Sequence, residues 1–593
     1  MQRTKDLEDR KEYFRLRGVA QHIIKTAEKT YWQAFCSTMD KDTKASKVWG
    51  TITKLSGVRS QQEIPTITDD GITYDTNQSK AELLAKKFAA VSSDNNFSQK
   101  FQTSRVQIEE EWKSVSDQPE VPLDINLPFE MHELVDAVRQ CKRKSAPGPD
   151  RISYEMLKNI PRICLPTILR FFNLAWTKRK LPPDWKTAVV MPLLKPDKPP
   201  YKAESYRPVA LTNTLCKVME RMVANRLRWW LETNNLYNKA QSGFRKGRST
   251  IDQIIRLADD AHKAINNRHY TLAVMLDLTK AFDMVWHRGL LHKIKGLGLQ
   301  GNILSFIEDF LTGRTIQVRV GNNLSSSYHL ENGTPQGSVI SPLLFLLMIN
   351  DIDDPVNGER LSLYADDSAI WKSGANLTEL VKNVQSYLEK LKAFFDRWGF
   401  KVSEDKTVAI VFTRNKKYKV ENVKLTMNGK DIKVENTARF LGVTFDKKLT
   451  WKPHIDKVVE KCNKRMNILR VLSGTRWGSS KAMLLIVYKA MIRSVIDYGS
   501  IAYDTASNST KSRLDEIQAK ALRICCGALR GTPTSALQVE CGQPPLRLRR
   551  LRMMTDYAIK MQSIPDHPAI HTLWKIAGVY TTVDTTQAEN HSK

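Results

Sequence analysis

The chain reads as a multidomain α+β protein, and three features of the sequence predict it. Its 593 residues are 41% hydrophobic and 26% charged, a composition that supports folded cores rather than disorder. Strand-like apolar runs bounded by turn residues crowd the middle of the chain, from 270 to 446. Helical periodicity dominates after 451. At about 150 residues per domain the length suggests three or four domains.

Residues 1–60, with "RKEYFRLRGVAQHIIKTAEKTYWQAFCSTM", place apolar side chains at three- and four-residue spacing and predict helix. "IPTITDDGITY" predicts a short extended stretch with a turn at its Asp-Gly pair. "TNQSKAELLAKKFAAVSS" predicts a helix with a polar start. The span 92–128 is loose in composition, with room for a short helix in "SRVQIEEEWKSVSD". "PFEMHELVDAVRQC" predicts a helix before the forced turn at Pro147, Gly148 and Pro149, and "LPTILRFFNLAWTKRKLP" one that stops at Pro182 and Pro183. "WKTAVVMPLLK" is a strand, and "NTLCKVMERMVANRLRWWLETNNL" and "STIDQIIRLADDAHKAINN" are amphipathic helices.

"YTLAVMLDLT" is a strand with Asp277 near its end, and "DMVWHRGLLHKIKGLG" opens a helix. "RTIQVRVGNNLSSSYHLENG" reads as a hairpin and "SPLLFLLMINDI" as a buried helix. "RLSLYADDSAIWKSG" is a second hairpin with Asp366 and Asp367 at its bend. A helix ("NLTELVKNVQSYLEKLKAFFDRWGF"), a strand ("KTVAIVFT") and several short strands with an Asn-Gly turn ("VKLTMNGKDIKVENTARFLGVTFD") follow. After 451 come the helices "HIDKVVEKCNKRMNILRVLS", "SKAMLLIVYKAMIRSVIDYGS" and "STKSRLDEIQAKALRICCGAL", a basic helix in "PLRLRRLRMMTDYAIKMQSI", and a polar tail.

The formal net charge is +29, from 92 Lys and Arg against 63 Asp and Glu. Such an excess favours a polyanionic partner. The apolar run "SPLLFLLMI" is far short of the roughly 18 residues a membrane span needs, and no membrane partner is expected. The eight cysteines form no C-x-x-C pair, no zinc spacing and no disulfide framework. A reducing compartment, nucleus or cytoplasm, is the expected location.

Two adjacent carboxylates inside an apolar hairpin call for a reason. If the strand ending in Asp277 neighbours that hairpin, Asp277 and Asp366 meet at one sheet edge. Clustered carboxylates repel unless a cation intervenes. Mg2+ takes hard oxygen ligands and shares them with phosphate. Two such ions, about 3.5–4 Å apart, clamp an in-line displacement at phosphorus. For one Asp at a strand end a turn cap is the ordinary explanation, and for an adjacent pair a solvated turn. The apolar context on both segments weighs against both.

"LDLTKAFD", "NGTPQGSVISPLLF", "YADD" and "FLGVTFD", in that order, resemble the palm motifs of reverse transcriptases, and in particular the polymerase of non-LTR (LINE-like, Jockey-type) retrotransposons. The resemblance covers roughly 130–545. It implies a right-hand polymerase with a ferredoxin-like palm, helix-rich fingers and a helical thumb. The implied domains are an N-terminal helical extension (1–128), fingers (129–269), palm with catalytic hairpin and primer grip (270–450, with 320–345 at the fingers–palm junction), thumb (451–545), and a basic helix and tail (546–593).

The resemblance also implies roles. Asp277, Asp366 and Asp367 would be catalytic and hold two Mg2+ ions, with Mn2+ a possible substitute. Phe282 would be the steric gate beneath the sugar. Lys195 and Arg207 would hold the triphosphate, and Arg suits bidentate phosphate contact. Gln336 and Gly337 would lie beside the nucleotide, and Ser338 or Ser341 would cap the helix that follows. Lys406 would donate a proton to pyrophosphate, although Ser403-Glu404 replaces the Asn more usual before such a Lys-Thr pair. Arg245, Lys246 and Arg248 would face template or nucleotide, Leu441 and Gly442 the primer. Lys457, Lys461 and Lys464 share a helical face suited to a nucleic-acid backbone. Taken singly, each of these cations reads equally well as a solvated surface charge, and Phe282 as core.

The implied activity is RNA-directed DNA synthesis from a primer 3′-OH in target-primed reverse transcription. The partners are an RNA template, a DNA primer or nicked target DNA, and dNTPs. No endonuclease array is recognisable, so the chain resembles the polymerase portion of a longer element protein and the nick is expected from elsewhere. The alternatives are an intron- or telomerase-type reverse transcriptase and a catalytically idle RNA-binding relic.

Overall fold

The computed structural model describes residues 64–116, 123–143, 145–196, 198–352, 361–418, 420–473 and 479–564, with scattered positions between 12 and 50. Most of the expected N-terminal helix lies outside the described residues, although 14–24 is helical, and so does the tail after 580. The described chain falls into two compact units. One runs from Gln62 to Gly442, and the other begins at Val443 and takes in the described residues before Gln62.

In the larger unit the elements around the site are, in chain order, α1 (Asn77–Val91), β1 (Thr187–Leu194), β2 (Tyr206–Leu211), α2 (Thr214–Thr233), α3 (Thr250–Asn266), β3 (Tyr270–Leu276), β4 (Thr315–Val320), α4 (Ser341–Met348), β5 (Leu361–Tyr364), β6 (Asp367–Gly374), α5 (Leu377–Trp398) and β7 (Val408–Phe412). They build a mixed α/β fold on two sheets. In the first, β1 lies between β2, antiparallel, and β4, parallel. In the second the order is β7–β3–β6–β5, antiparallel throughout, with Lys433–Val434 added parallel to β7. β3 is central, and Leu272, Ala273 and Val274 are wholly buried, which is why its sequence is continuously apolar instead of alternating.

Helices α3 and α5 pack on β3. α5 buries Leu380, Val384, Leu388, Leu391 and Phe395 at helical spacing, each contributing about 1.5–3 kcal/mol by leaving water.

Four points of the sequence reading are corrected. The short helix allowed for in "SRVQIEEEWKSVSD" begins earlier and is longer: Gln99–Ser116 is one continuous helix, with Phe101 and Ile108 buried in the main core. β2 has no counterpart in the sequence reading because Pro208 looks like a strand breaker; it is an edge strand, and Pro208 sits opposite Pro192. The helix Asn302–Leu311 also went unread. The stretch before residue 128 is more than a helical extension. Ile67 lies in a hairpin with positive φ at Asp70 and Gly71, and Ile67, Leu84 and Ala85 share a core with Val190, Ile316 and Val318 of the first sheet.

The second unit is helical. Helices α6 (Lys452–Leu472), α7 (Asn508–Cys526) and α8 (Leu546–Gln562) surround a core that includes Trp451, Tyr488 and Tyr503. α6 turns Ile455, Val458, Cys462, Met466 and Leu469 inward, and its contacts are chiefly with α7.

Candidate active site

The hairpin β5–β6 pairs Tyr364 with Asp367, which leaves Ala365 and Asp366 as its two turn residues. Ala365 has φ +57°, a left-handed conformation that costs a residue with a Cβ about 1–2 kcal/mol. The β6–β3 ladder ends at Ser368–Leu276, so Asp367 and Asp277 are the next residues on adjoining strands. The sheet thus brings Asp277 to the Asp366–Asp367 bend, from 90 residues away in the chain. The segment beyond Asp277 is held by Ser403 N–H donating to Asp277 O at 2.7 Å and Thr279 N–H to Lys401 O at 2.8 Å.

The three carboxylates feel one another. Asp366 is pushed above the ordinary carboxylate range, first by burial and then by the charge of Asp277. Asp367, whose tip still reaches solvent, is pushed up to about 6 by desolvation in the cleft, then by Asp366 and Asp277. Asp277 accepts a hydrogen bond from Lys406 Nζ at 2.9 Å. Among the described residues no group of three His, Cys, Asp or Glu side chains is gathered closely enough to hold a metal ion. The donor set is nonetheless of the hard-oxygen kind, and its mutual repulsion is the kind a divalent cation relieves.

Beside the bend opens a cavity of about 700 Å3 lined by Lys195, Arg207, Lys280, Phe282, Gln336, Gly337, Asp366 and Lys406. Its cations crowd: the ammonium of Lys195 is pushed below its ordinary range, first by burial and then by Arg207, Lys280 and Lys406. An anion-shaped demand follows from these positive groups facing one space, with Lys87, paired to Asp69, a fifth on the lining. Lys280 was not anticipated. It enters the cavity at the turn where its own φ is +51°.

Phe282 is half-buried. Its ring stacks on Phe345 with centroids 4.5 Å apart and meets the exposed Phe244 edge-on at 6.5 Å. Gly333, at φ +87°, lies so close that a Cβ would stand 2.6 Å from Asp283 O. Gly337, at φ +119°, leaves the same 2.6 Å to Ala210 O, which is how the Pro-Gln-Gly loop lies against β2. Gln336 donates Nε2–H to Asp283 at 2.8 Å. Asp283 is pushed up to about 6 by burial, against the bond from Gln336 and the charges of Lys280 and Lys195.

Two polar residues that the sequence reading missed hold this framework. Glu220, wholly buried in α2, accepts Ser338 Oγ–H at 2.5 Å and the N–H groups of Val339 and Ile340 at 2.7 and 3.3 Å on one carboxylate oxygen. Ser338, not Ser341, is the serine that caps the turn into α4, taking Ser341 N–H at 3.3 Å. A signal for Glu220 existed. It occupies the buried stripe Cys216, Glu220, Val223, Leu227 and Leu231 of α2, and a carboxylate on an apolar stripe needs a partner from elsewhere. Gln241 is the second such residue.

The remaining expected residues are placed as follows. Arg245 is turned into the protein, bonded to Glu232 at 2.7 Å and stacked 4.5 Å over Tyr237. Lys246 is exposed and Arg248 half-buried. Leu441 and Gly442 both have positive φ, 45° and 82°, a tight turn after Thr437–Phe440. In the second unit, Lys457, Lys461 and Lys464 share the exposed side of α6, with Lys457 donating to Thr444 and Lys464 to Glu460. The described cysteines are free thiols, and among the described residues no helix is long and apolar enough to cross a membrane.

Residues 194–445 match the family described as reverse transcriptase (RNA-dependent DNA polymerase). The chain therefore carries a reverse-transcriptase domain, and it spans both sheets of the site from the end of β1 onward. The chain is 29% identical to the probable RNA-directed DNA polymerase from transposon BS of Drosophila melanogaster, over 89% of this chain and 59% of that protein. It is 29% identical to the RNA-directed DNA polymerase from mobile element jockey of the same species, over 73% of this chain and 48% of that one. A Pol polyprotein from the type-1 retrotransposable element R1 of Bradysia coprophila is 25% identical over 88% of this chain and 50% of its own length. Relatedness thus extends to several retrotransposon enzymes without singling out the Jockey type, and the chain spans about half the length of these relatives.

Proposed function

We propose that this chain is an RNA-directed DNA polymerase of a non-LTR retrotransposon, of Jockey-like kind, which extends a primer 3′-OH with dNTPs. The observation that carries the reading is the pairing of β3 and β6, which sets Asp277 beside Asp366 and Asp367 at the mouth of a cation-lined cavity. In this reading the arrangement is a right-hand polymerase. The two-sheet unit supplies fingers (129–269) and palm (270–450), and α6 and α7 belong to a thumb (451–545).

Asp277, Asp366 and Asp367 would hold two Mg2+ ions. When bound, such ions supply Lewis-acid activation of the primer hydroxyl and neutralise charge on the departing pyrophosphate. Lys195, Arg207 and Lys280 bind and orient the triphosphate. Phe282, backed by Phe345, excludes a 2′-hydroxyl. Gln336 and Gly337 border the nucleotide. Lys406, which pairs with Asp277, would give a proton to pyrophosphate. Lys246, the turn at Leu441–Gly442, and Lys457, Lys461 and Lys464 meet template and primer through charge and backbone, without reading sequence. The work is target-primed reverse transcription on element RNA, with a nick made by an endonuclease activity outside the described residues, in the nucleus or cytoplasm.

Primer extension on an RNA template with dNTPs and Mg2+ tests this, run beside D277A and D366A. Template-dependent DNA synthesis abolished by both substitutions is expected. The idle RNA-binding relic is favoured by one observation: among the described residues the three aspartates, though neighbours, are not gathered closely enough to hold a metal ion. Protein that binds RNA yet extends no primer with Mg2+ or Mn2+ would establish it instead.

A further inference from the structure

In the two-residue hairpin β5–β6 the N–H of Ala365 takes no part in the ladder, and Ala365 is only 4% exposed. A buried N–H needs an acceptor. Gln241 supplies it: its Oε1 accepts Ala365 N–H at 3.0 Å and Gly243 N–H at 2.7 Å. Both partners are backbone donors, so the oxygen and not the nitrogen must face them, and the amide orientation is settled by chemistry. Gln241 Nε2 is buried and has no hydrogen-bond partner among the described residues. The side chain is therefore spent wholly as an acceptor.

The backbone around Gln241 reaches that position by pairing along the open edge of β5. Leu363 N–H donates to Ala240 O at 3.1 Å and Ser242 N–H to Leu363 O at 2.9 Å. Gln253 of α3 fastens the same join, donating to Ala240 O and Ser242 Oγ and accepting Ser362 Oγ–H. Gly243 is pressed so closely that a Cβ there would stand 2.4 Å from Ala365 N. A left-handed alanine in a turn where glycine is the usual occupant needs surroundings that over-determine it.

We propose that Gln241 is a positioning residue for nucleotidyl transfer. Its amide oxygen locks the left-handed turn at Ala365 and thereby fixes where Asp366 and Asp367 present their carboxylates. The inference rests on the proposed polymerase function. It also assigns the "QSGF" stretch a part distinct from the template contact expected of the basic residues that follow it. Gln241 touches no substrate; it acts through the turn.

The test uses the full chain and the variants Q241M, Q241E and G243A. Methionine keeps the volume and loses the acceptor, glutamate keeps both accepted bonds, and the alanine Cβ at 243 pushes on the same contact from the other side. Amide hydrogen exchange of the peptide covering 361–370, without substrate, reads the lock directly. Faster exchange at Ala365 is expected in Q241M and G243A but not in Q241E. In primer extension, Q241M and G243A should lose about tenfold in kcat, as the loss of one hydrogen bond's worth of transition-state positioning would give. Their dNTP KM should stay within about twofold, and the Mg2+ half-saturation should rise. Unchanged exchange at Ala365 in both variants overturns the lock. Faster exchange with wild-type kcat and Mg2+ dependence overturns the positioning role, as does a fall in kcat that merely tracks the folded fraction. If Q241M does not fold, G243A carries the same readouts, with Q241E as its control. Wild-type protein that never extends a primer refutes the polymerase reading itself, a result distinct from a working enzyme indifferent to Q241M.

Discussion

Replacing Glu220 is the sharpest check on how the Pro-Gln-Gly loop is held. One carboxylate oxygen takes all three loop donors, from Ser338, Val339 and Ile340, and the other takes only the Cys216 thiol at 3.4 Å. E220A removes both oxygens from a site with no solvent exposure. The Ser338 hydroxyl can turn away and Ile340 N–H keeps Ser338 Oγ at 3.2 Å, but Val339 N–H loses its acceptor, and an unsatisfied buried donor costs about 1–3 kcal/mol. With the cavity left by the side chain, about 2–4 kcal/mol is expected. E220Q can point its carbonyl oxygen at the loop and its amide at sulfur, and should cost only about 1 kcal/mol. Urea unfolding of the larger unit measures both. The dNTP KM of folded E220A should also rise, because Gln336 and Gly337 sit directly before the released residues. An E220A variant within 1 kcal/mol of wild type, or an E220Q variant as damaged as E220A, would refute the claim that this oxygen anchors the loop.

Further outcomes are expected. F282A should raise ribonucleotide use relative to deoxyribonucleotide in primer extension, and an unchanged ratio rejects the gate. A365G should keep synthesis and relieve the left-handed strain, whereas A365V, β-branched at φ +57°, should lose about 1–2 kcal/mol and most activity; equal behaviour of the two in melting and extension would count against strain at the turn. His454, buried in α6, accepts Thr444 N–H on Nδ1 at 3.3 Å, and its Nε2 has no hydrogen-bond partner among the described residues. Burial, then the charge of Lys457, depresses its pKa to about 4. The unfolded chain therefore takes up a proton near pH 6.5 that the folded unit refuses until about 4. Stability of the second unit should fall across that window as pH drops, by about 3 kcal/mol in all. H454Q should flatten this part of the melting-temperature profile, and an unaltered slope would assign it to other groups.

What the sequence made readable was whatever leaves a local signature. The hairpin at Asp366–Asp367 announced itself by two apolar arms around a polar bend, and β3 by an apolar run ending in an acid. Their convergence was inferable because a strand that is apolar on both faces has to be central in its sheet. β2 stayed hidden because Pro208, on an edge strand, costs no ladder bond there yet looks prohibitive on paper. The full length of the helix Gln99–Ser116, read only as a short helix from Ser104, stayed hidden for the opposite reason. Its polar composition predicts solvent, whereas Phe101 and Ile108 pack into the core of elements far along the chain.

The site divides along the same line, and the division has a physical cause. Groups that do chemistry are spelled by type and order, because a carboxylate, a lysine or a gate-sized ring cannot be exchanged for something else. Groups that hold those in place are spelled only by contact. Glu220 meets Val339 across 119 residues and Gln241 meets Ala365 across 124, so neither has a neighbour in sequence that explains it. Arg245 shows the converse error. A basic cluster reads as a nucleic-acid face, but this guanidinium is 8% exposed and bonded to Glu232, leaving Lys246 as the outward charge. Counting cations along a chain overstates its binding surface whenever a carboxylate lies one helix away. Net charge bounds the class of partner, and only the fold decides which of those charges reach it.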